Sequence, residues 1–311
     1  MIDLRHDSID PVQFVPPLLA LVLSPLLLGI INRTKAVFAG RNGQPLLQVY
    51  FDIWKLLRKG AVYSRTTSWV FRAGPIIGVA APVAILLILP FGGTAGLLGF
   101  GGDLFLLAYL LGMVRFFIVA AALDTGSAFE GMGASREVQF SALAEPALLL
   151  GLAALGRLGG TFTLSDIFRD ITPGIWLANG PALALVAAAL VIVFLAENAR
   201  IPVDDPNTHL ELTMIHEVMV LDHGGPDFAY VLYGASLKLW ILGALVVGVV
   251  VPCRDPNPWI GIGAAVAGIF ALSIVVGVVE SCMARLRLLR VPQLLTVAAV
   301  FSALAVILLR R

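Results

Sequence analysis

Charged residues are scarce in this chain of 311 residues: Asp, Glu, Lys and Arg make up 13% of it, whereas 59% is hydrophobic. A water-soluble fold needs enough polar surface to cover itself, and this composition does not supply it. Cysteine is scarcer still, because only Cys253 and Cys282 are present, far apart and beside or within apolar runs. They support neither a disulfide framework nor a CxxC metal site. With no cysteine cluster and no histidine pair inside the apolar runs, we expect no iron–sulfur cluster, haem or other cofactor in this chain.

Motifs of soluble enzymes are also missing. The sequence has no GxxxxGK[ST], and the glycines at 92–102 follow no strand, so nucleotide binding has no support. His216 and Glu217 resemble the start of the zinc motif HExxH, but Val220 occupies the position of its second histidine, and His223 comes too late. We therefore expect no metal site, and nucleic acid is not expected as a partner.

Long apolar runs, in contrast, are abundant. A transmembrane helix needs about 20 apolar residues, and eight runs are long enough. They are apolar on all sides and do not alternate, which favours helices over the strands of a β-barrel. The sequence therefore predicts an all-α polytopic membrane protein of about eight transmembrane helices, forming one integral membrane domain over residues 1–311. The runs are 11–32, 73–102, 104–123 with Arg115, 138–156 with Glu145, 171–196, 228–253 with Lys238, 256–279 and 291–309.

The orientation follows from Lys and Arg, which are retained on the cytoplasmic side in short loops. With the N-terminus outside, thirteen basic residues fall in cytoplasmic segments and six in external ones, Arg310 and Arg311 among the six. We therefore predict that both termini lie outside, together with the loops near 92–102, 157–178 and 252–258.

Two long segments on the predicted cytoplasmic side carry opposite charge. Residues 33–72 hold eight basic residues and one acid, whereas residues 197–229 hold seven acids against Arg200 alone. Retention of basic residues explains the first segment but not the second, because acids contribute little to topology. The second segment is either a solvated acidic loop or, if it faces the first, part of a docking surface for a cytoplasmic protein.

The basic segment contains a helical pattern. Leu46, Tyr50, Ile53, Trp54 and Leu57 recur at three- and four-residue spacing, with polar residues mostly on the other side. This pattern predicts an amphipathic helix at about 44–59 that lies at the membrane interface, with its basic residues toward anionic lipid.

Ionisable residues inside the apolar runs are the next informative group, because a charge in the membrane is costly and usually faces protein or water. Glu145 stands near the middle of the fourth span and can gain or lose a proton. Asp124, Glu130 and Glu137 extend a line of carboxylates from the cytoplasmic side toward it. Each carboxylate either pairs with a helix neighbour or transfers protons, and as a set they suggest a proton path. The intramembrane charges are Arg115, Glu145, Lys238 and Glu280.

One segment carries a signature. Residues 197–204, ENARIPVD, match ExxRxPxD, which resembles the signature of the complex I membrane subunit that contacts the peripheral arm, NuoH in bacteria. The extension through 205–217 is more similar to the homologous subunit of membrane-bound [NiFe] hydrogenases, of the formate hydrogenlyase subunit 4 or hydrogenase-4 component C type. Further matches lie at 43–48 and at 123–146, and the similarity spans nearly the whole chain.

The resemblance implies eight spans in the orientation given above, in a prokaryotic cytoplasmic membrane. It implies as partners a [NiFe] hydrogenase large subunit, an iron–sulfur small subunit and antiporter-like membrane subunits. The [NiFe] centre and the iron–sulfur clusters would then belong to the partner subunits. Residues 218–223 depart from the aromatic and Ser/Gly-rich run of the quinone-reducing branch, so the hydrogenase branch is preferred.

The resemblance also implies a role in transmission: a charge change in the redox module alters the proton occupancy of carboxylates at the subunit boundary, and protons then move. Glu197 and Arg200 are three residues apart where the fifth span ends, which predicts a pair on one helix face. The boundary set comprises Glu197, Arg200, Asp204, Asp205 and Glu211, with Glu217 in the same coupling set; the path continues through Asp124, Glu130, Glu137 and Glu145.

Two other functions stay open. A subunit of a quinone reductase would need a cavity between the first and sixth spans that opens beside the amphipathic helix. A free-standing transporter would work without partners, and the two oppositely charged segments argue against it.

Overall fold

A computed structural model describes residues 10–204, 215–252 and 257–309. Over these residues the protein is helical, and the only β pairing among them is an isolated bridge between Phe91 and Thr94. Its α-helices are α1 (Val15–Phe38), α2 (Gln48–Leu57), α3 (Trp69–Ile88), α4 (Asp103–Asp124), α5 (Ala128–Gly159), α6 (Leu164–Asp170), α7 (Pro173–Glu197), α8 (Pro226–Val250), α9 (Pro258–Cys282) and α10 (Val291–Leu308).

Eight helices of the described chain are long and apolar enough to cross a membrane, namely all of those above except α2 and α6. The prediction of an all-α protein with eight spans is confirmed. The chain is a multi-pass membrane protein.

Two boundaries differ from the prediction. The second span ends at Ile88 and not at 102, because the chain turns back at Gly92 and Gly93, whose φ values of 58° and 84° suit glycine. Helix α5 begins at Ala128 and not at 138. The extra turns place Glu130 and Glu137 on a helix, and both side chains are buried.

The amphipathic helix is confirmed as α2, which is slightly shorter than the predicted 44–59. Its apolar residues divide between two contacts. Tyr50 reaches α1 and donates a hydrogen bond to the carbonyl of Val22, whereas Phe51 and Trp54 are each 59% exposed. The Arg58 guanidinium lies 4.6 Å from the Trp54 ring centroid, so the exposed face carries both aromatic and basic groups.

Helix α1 is interrupted internally by Pro25, which has no N–H to donate to the carbonyl of Leu21. Tyr233 of α8 supplies the missing donor, since its hydroxyl lies 2.9 Å from the Leu21 oxygen. With Tyr50 bonded to the next carbonyl, α1 is tied at one level to both α2 and α8.

Helix α8 lies at the centre of the bundle. Within its most apolar 18-residue window 72% of residues are buried, against 28–50% for the other spans. It approaches α3 closely at Gly234, where a Cβ would stand 2.3 Å from the Gly78 carbonyl oxygen. This approach needs glycine, and it brings the following turns of α8, including Lys238, against α3 and α4.

The two oppositely charged segments meet at one end of the bundle. Phe71 and His223 stack with ring centroids 3.9 Å apart. The Ser68 amide donates to Asp124 at 2.6 Å, and Arg285 pairs with Asp204 at 2.8 Å. We call this end, which comprises residues 33–72, 124–130, 197–204, 215–227 and 283–290, the charged end.

Candidate functional site

Arg115 lies at the centre of a network of charges that joins four helices. Its guanidinium, from α4, pairs with Glu145 and Glu197, and its Nε lies 3.5 Å from Oε1 of Glu137. Lys238 of α8 approaches Glu197 from the other side, with its Nζ 2.8 Å from Oε2. We call Arg115, Glu137, Glu145, Glu197 and Lys238 the Arg115 cluster.

The Arg115 cluster has an excess of negative charge. It contains three carboxylates against two cations, and charges at this depth are tolerated only when they are paired. The Nε2 of His216 lies 3.4 Å from Oε2 of Glu137, so a protonated His216 would balance the sum. The cluster can therefore hold one more proton, on the imidazole or on a carboxylate, without leaving an uncompensated charge.

The predicted pair between Glu197 and Arg200 is wrong. Helix α7 ends at Glu197, and Ala199 has a φ of 50°, so the chain leaves the helix before Arg200 and the two side chains part. Glu197 turns to the Arg115 cluster. Arg200 instead lies 3.4 Å from Glu280 of α9, whose other oxygen is 2.8 Å from Lys35 of α1.

Lys35, Arg200 and Glu280 thus form a second group, the Glu280 cluster. The sequence indicated Glu280 as an intramembrane charge but not its partner Lys35, which was counted with the basic segment. Helix α1 continues to Phe38, six residues beyond the apolar run, and this extension brings Lys35 alongside the end of α9. The absence of Pro or Gly between residues 33 and 38 is the signal that predicts such an extension.

The other predicted site residues lie at the charged end, apart from the Arg115 cluster. Asp204 pairs with Arg285 and accepts from the His216 amide at 3.4 Å. Glu130 accepts from the Thr125 hydroxyl and from the Asp222 amide, the latter at 3.2 Å. Asp124 accepts from Ser68, and Glu217 lines the cavity described next. Asp205 and Glu211 lie outside the described residues.

A cavity of about 370 Å³ opens between α1, α2, α3, α4 and α8. Its walls include apolar side chains such as Leu28 and Phe228. One end is strongly charged, with Arg115, Glu137, Glu197, Arg200, His216 and Lys238 in the lining. The cavity lies between the first and sixth spans and beside α2, as the quinone-reductase alternative requires.

Comparison with known families covers almost the entire chain. The family model described as NADH dehydrogenase matches residues 12–310. This chain belongs to the NADH dehydrogenase family. The resemblance read from the ExxRxPxD segment is therefore confirmed.

Within the NADH dehydrogenase family, the chain is similar to proteins of the hydrogenase branch. It is 34% identical over 300 residues to formate hydrogenlyase subunit 4 of Escherichia coli strain K12, covering 93% of this chain and 96% of that protein. It is 33% identical over 235 residues to hydrogenase-4 component C of the same strain, covering 75% and 72%. Its similarity to the corresponding NADH-quinone oxidoreductase protein of Rubrobacter xylanophilus, 30% identical, covers 54% of this chain and 51% of that protein.

A solved structure shows the same fold. A chain of the membrane-bound sulfane sulfur reductase, an archaeal respiratory membrane complex, superposes with a TM-score of 0.83 at 21% identity. The match covers 96% of this chain and 98% of the other. The eight-span arrangement is thus an arrangement of the whole chain and not of a part.

The Arg115 cluster therefore belongs to the common fold of a NADH dehydrogenase family member, and its chemistry can be stated from its geometry. Arg115 contacts three carboxylates at once, so a proton taken up by one of them changes the attraction that holds the others. Such a group does not need a cofactor to respond to a charge outside it. It needs only a route for protons and a nearby change of charge.

Proposed function

We propose that this protein is the membrane-anchoring, proton-path subunit of a membrane-bound [NiFe] hydrogenase complex of the formate hydrogenlyase type. It links redox chemistry in a soluble module to ion movement in the membrane. The membership in the hydrogenase branch supports the assignment. The observation that carries the coupling role is the single guanidinium of Arg115 shared by Glu137, Glu145 and Glu197.

The coupling is electrostatic. A unit charge that appears about 10 Å from a carboxylate, at an effective dielectric constant of about 20, changes its protonation free energy by roughly 1.7 kcal/mol. One pKa unit corresponds to about 1.36 kcal/mol, so the effect exceeds a tenfold change in proton occupancy. Reduction of a cluster in a partner docked at the charged end would act on the Arg115 cluster in this way. The cluster then releases or takes up its extra proton.

The partners follow from the same proposal. The segments 33–72 and 197–229 form the docking surface for the large [NiFe] subunit and the iron–sulfur small subunit, which carry the metal centres. Antiporter-like membrane subunits adjoin the spans within the lipid. The complex lies in a prokaryotic cytoplasmic membrane with the charged end inside and both termini outside.

A quinone-reducing complex is the second candidate, and the observation that favours it is the cavity beside α2. Its apolar walls and charged end suit an amphiphilic ligand with a polar head. Activity that depends on added quinone would support this candidate. Hydrogen evolution that continues with quinone fully extracted would contradict it.

The assembly is tested by purifying the affinity-tagged subunit in mild detergent. We expect a [NiFe]-type large subunit and an iron–sulfur small subunit to co-purify, with nickel and iron in the eluate. Flavin-bearing, NADH-oxidising subunits in place of them would contradict the hydrogenase proposal. A lone chain with transport activity would favour a free-standing transporter.

The orientation is tested with single cysteines in a background without Cys253 and Cys282. Ser64 is exposed at the charged end, and Ala95 is exposed in the loop between α3 and α4 at the other end. We expect a membrane-impermeant maleimide to label Ala95→Cys in intact cells and Ser64→Cys only after the membrane is opened. The reverse labelling pattern would overturn the orientation.

A further inference from the structure

Glu145 differs from every other member of the Arg115 cluster in its exposure. Its side chain is 50% exposed, whereas those of Arg115, Glu137, Glu197 and Lys238 are between 5% and 13% exposed. Exposure of half a carboxylate is ordinary on a soluble protein. On a helix that crosses a membrane it requires an explanation, because a charge that faces hydrocarbon is costly.

The position of Glu145 is close to mid-membrane. It lies 17 residues after Ala128 and 14 before Gly159, the two ends of α5. Its Oε1 is 3.8 Å from where a Cβ of Gly112 would stand, and Gly112 is 9 residues after the start of α4 and 12 before its end. Two helices thus place the carboxylate independently at the same depth, far from both membrane surfaces.

The cavity does not account for this exposure. Arg115 lines the cavity, but Glu145 is not among the described residues that do. Arg115 therefore separates the two, with Glu137 and Glu197 on its cavity side and Glu145 on the outer face of the bundle. The exposed half of the carboxylate points into the space outside α4 and α5.

The outer face of α5 is unusually polar for a membrane helix. Its exposed positions recur at three- and four-residue spacing and include Ser135, Gln139, Ala142, Glu145 and Leu149. Pro146 adds a further polar demand, because it has no N–H to donate to the Ala142 carbonyl. Small and polar residues are those through which membrane helices contact each other.

The neighbouring exposed stripe on α4 offers a broad aromatic surface beside this polar one. Its large exposed residues are Phe105, Tyr109, Met113 and Phe116, of which Tyr109 is 77% exposed. The outer face of α9 differs, because its large exposed residues are Trp259, Ile260, Ile274 and Val275, for which lipid is a sufficient neighbour.

We propose that the outer face of α4 and α5 docks a transmembrane helix of another subunit, and that this helix presents a hydrogen-bond donor to Glu145. Charge complementarity determines the chemistry of the partner. The Arg115 cluster has one carboxylate in excess, and its exposed member has an uncovered side, so the missing group is a donor, either cationic or neutral. The inference rests on the proposed function only in requiring a membrane complex of several subunits.

The docking surface is tested by photo-crosslinking in the intact complex, with p-benzoylphenylalanine in place of Tyr109. We expect one dominant adduct with a different transmembrane subunit of the complex, identified by mass spectrometry of the crosslinked peptide. The same group in place of Ile274 on α9 measures the background of lipid adducts. Adducts of the Tyr109 variant with lipid alone, or with a second copy of this chain, would overturn the proposal.

A matched pair of truncations gives a second, independent measurement. We expect the double variant Tyr109→Ala, Phe116→Ala to release the crosslinked subunit at a lower detergent concentration than the wild type. The control, Ile274→Ala with Val275→Ala, removes comparable apolar surface from α9 and should release it at the wild-type concentration. Equal release from both double variants would contradict a docking surface on α4 and α5.

These results are distinguishable from a failure of the proposed function. A Tyr109 adduct with a membrane subunit, in a complex whose soluble module is not a hydrogenase, would keep the docking surface and remove the function. Lipid adducts alone, in a complex that contains nickel and evolves hydrogen, would do the reverse.

Discussion

The Arg115 cluster and the Glu280 cluster contain the same kinds of side chain but differ in balance and in access. The first has three carboxylates for two cations, and it contacts both the cavity and the outer face of α5. The second has one carboxylate for two cations, and the Glu280 side chain is fully buried between Lys35 and Arg200.

This difference separates a site that can change its charge from one that holds the fold together. A carboxylate that is enclosed by two cations has every reason to stay ionised, and it fixes α1, α9 and the segment after α7 at one point. A carboxylate surplus around one guanidinium can accept a proton at little cost. The predictions below test whether the two clusters differ in this way.

The largest effect is expected from Arg115→Gln, which removes the cation that three carboxylates share. Loss of one partner from a buried pair costs about 3–5 kcal/mol, because the remaining charge is left uncompensated. We expect the yield of assembled complex to fall by more than tenfold and its thermal stability to drop sharply. Arg115→Lys keeps the charge and should restore part of both, although a Lys cannot contact three carboxylates with the same geometry.

Blue native gels and thermal unfolding in detergent would measure the Arg115 effect. An Arg115→Gln complex with wild-type yield and wild-type coupled turnover would show that the cluster is not held by this residue.

An intermediate effect should distinguish the clusters directly, through Glu197→Gln and Glu280→Gln. In the Arg115 cluster the amide removes a negative charge, so Glu197→Gln should assemble but lose roughly tenfold in membrane-coupled turnover, about 1.4 kcal/mol. Electron transfer from the soluble module to an artificial acceptor should survive. Glu280→Gln leaves Lys35 and Arg200 without a carboxylate, so it should lower the amount of complex but not the coupled turnover per complex.

The comparison between the clusters would fail if the two amide variants behaved alike. Normal coupled turnover in a fully assembled Glu197→Gln complex would remove Glu197 from the coupling role. A turnover loss in Glu280→Gln that exceeds its loss of assembly would give the Glu280 cluster a function beyond support.

The smallest effect concerns His223, which stacks on Phe71 in the segment that covers the charged end of the cavity. Burial lowers the pKa of His223 below its usual 6.5, although Asp227 and Asp222 act in the opposite direction. The unfolded segment therefore binds a proton more readily than the folded one. Its contribution to stability is complete above about pH 6.5 and decreases as the pH falls toward the lowered pKa.

We therefore expect amide exchange in residues 217–225 to increase at about pH 5.5 relative to about pH 7.5, after correction for intrinsic rates. His223→Phe keeps the stacked ring without the titration and should abolish the increase. A pH dependence that persists in His223→Phe would assign the effect to another group. If the dependence is removed, His223 controls how the cavity side of the Arg115 cluster opens to water.

Local pattern was sufficient for much of this protein. The number of spans, the interfacial helix α2 and the family itself follow from residues that are close in the chain, because hydrophobic length and helical periodicity act over one element at a time. The inventory of intramembrane charges, Arg115, Glu145, Lys238 and Glu280, is likewise a property of the sequence. Even the helix ends at Phe38 and Ile88 have local signals, namely a stretch without breakers and a pair of glycines.

The pairing of those charges was decided by the tertiary structure. Sequence spacing placed Glu197 with Arg200, but α7 ends between them, and each side chain reaches a partner about 80 residues away along the chain. Which carboxylate stays half exposed depends on how α4 and α5 cross at Gly112, and no single segment contains that information. A buried charge selects the nearest partner in space, and that partner is fixed only when all the helices have packed.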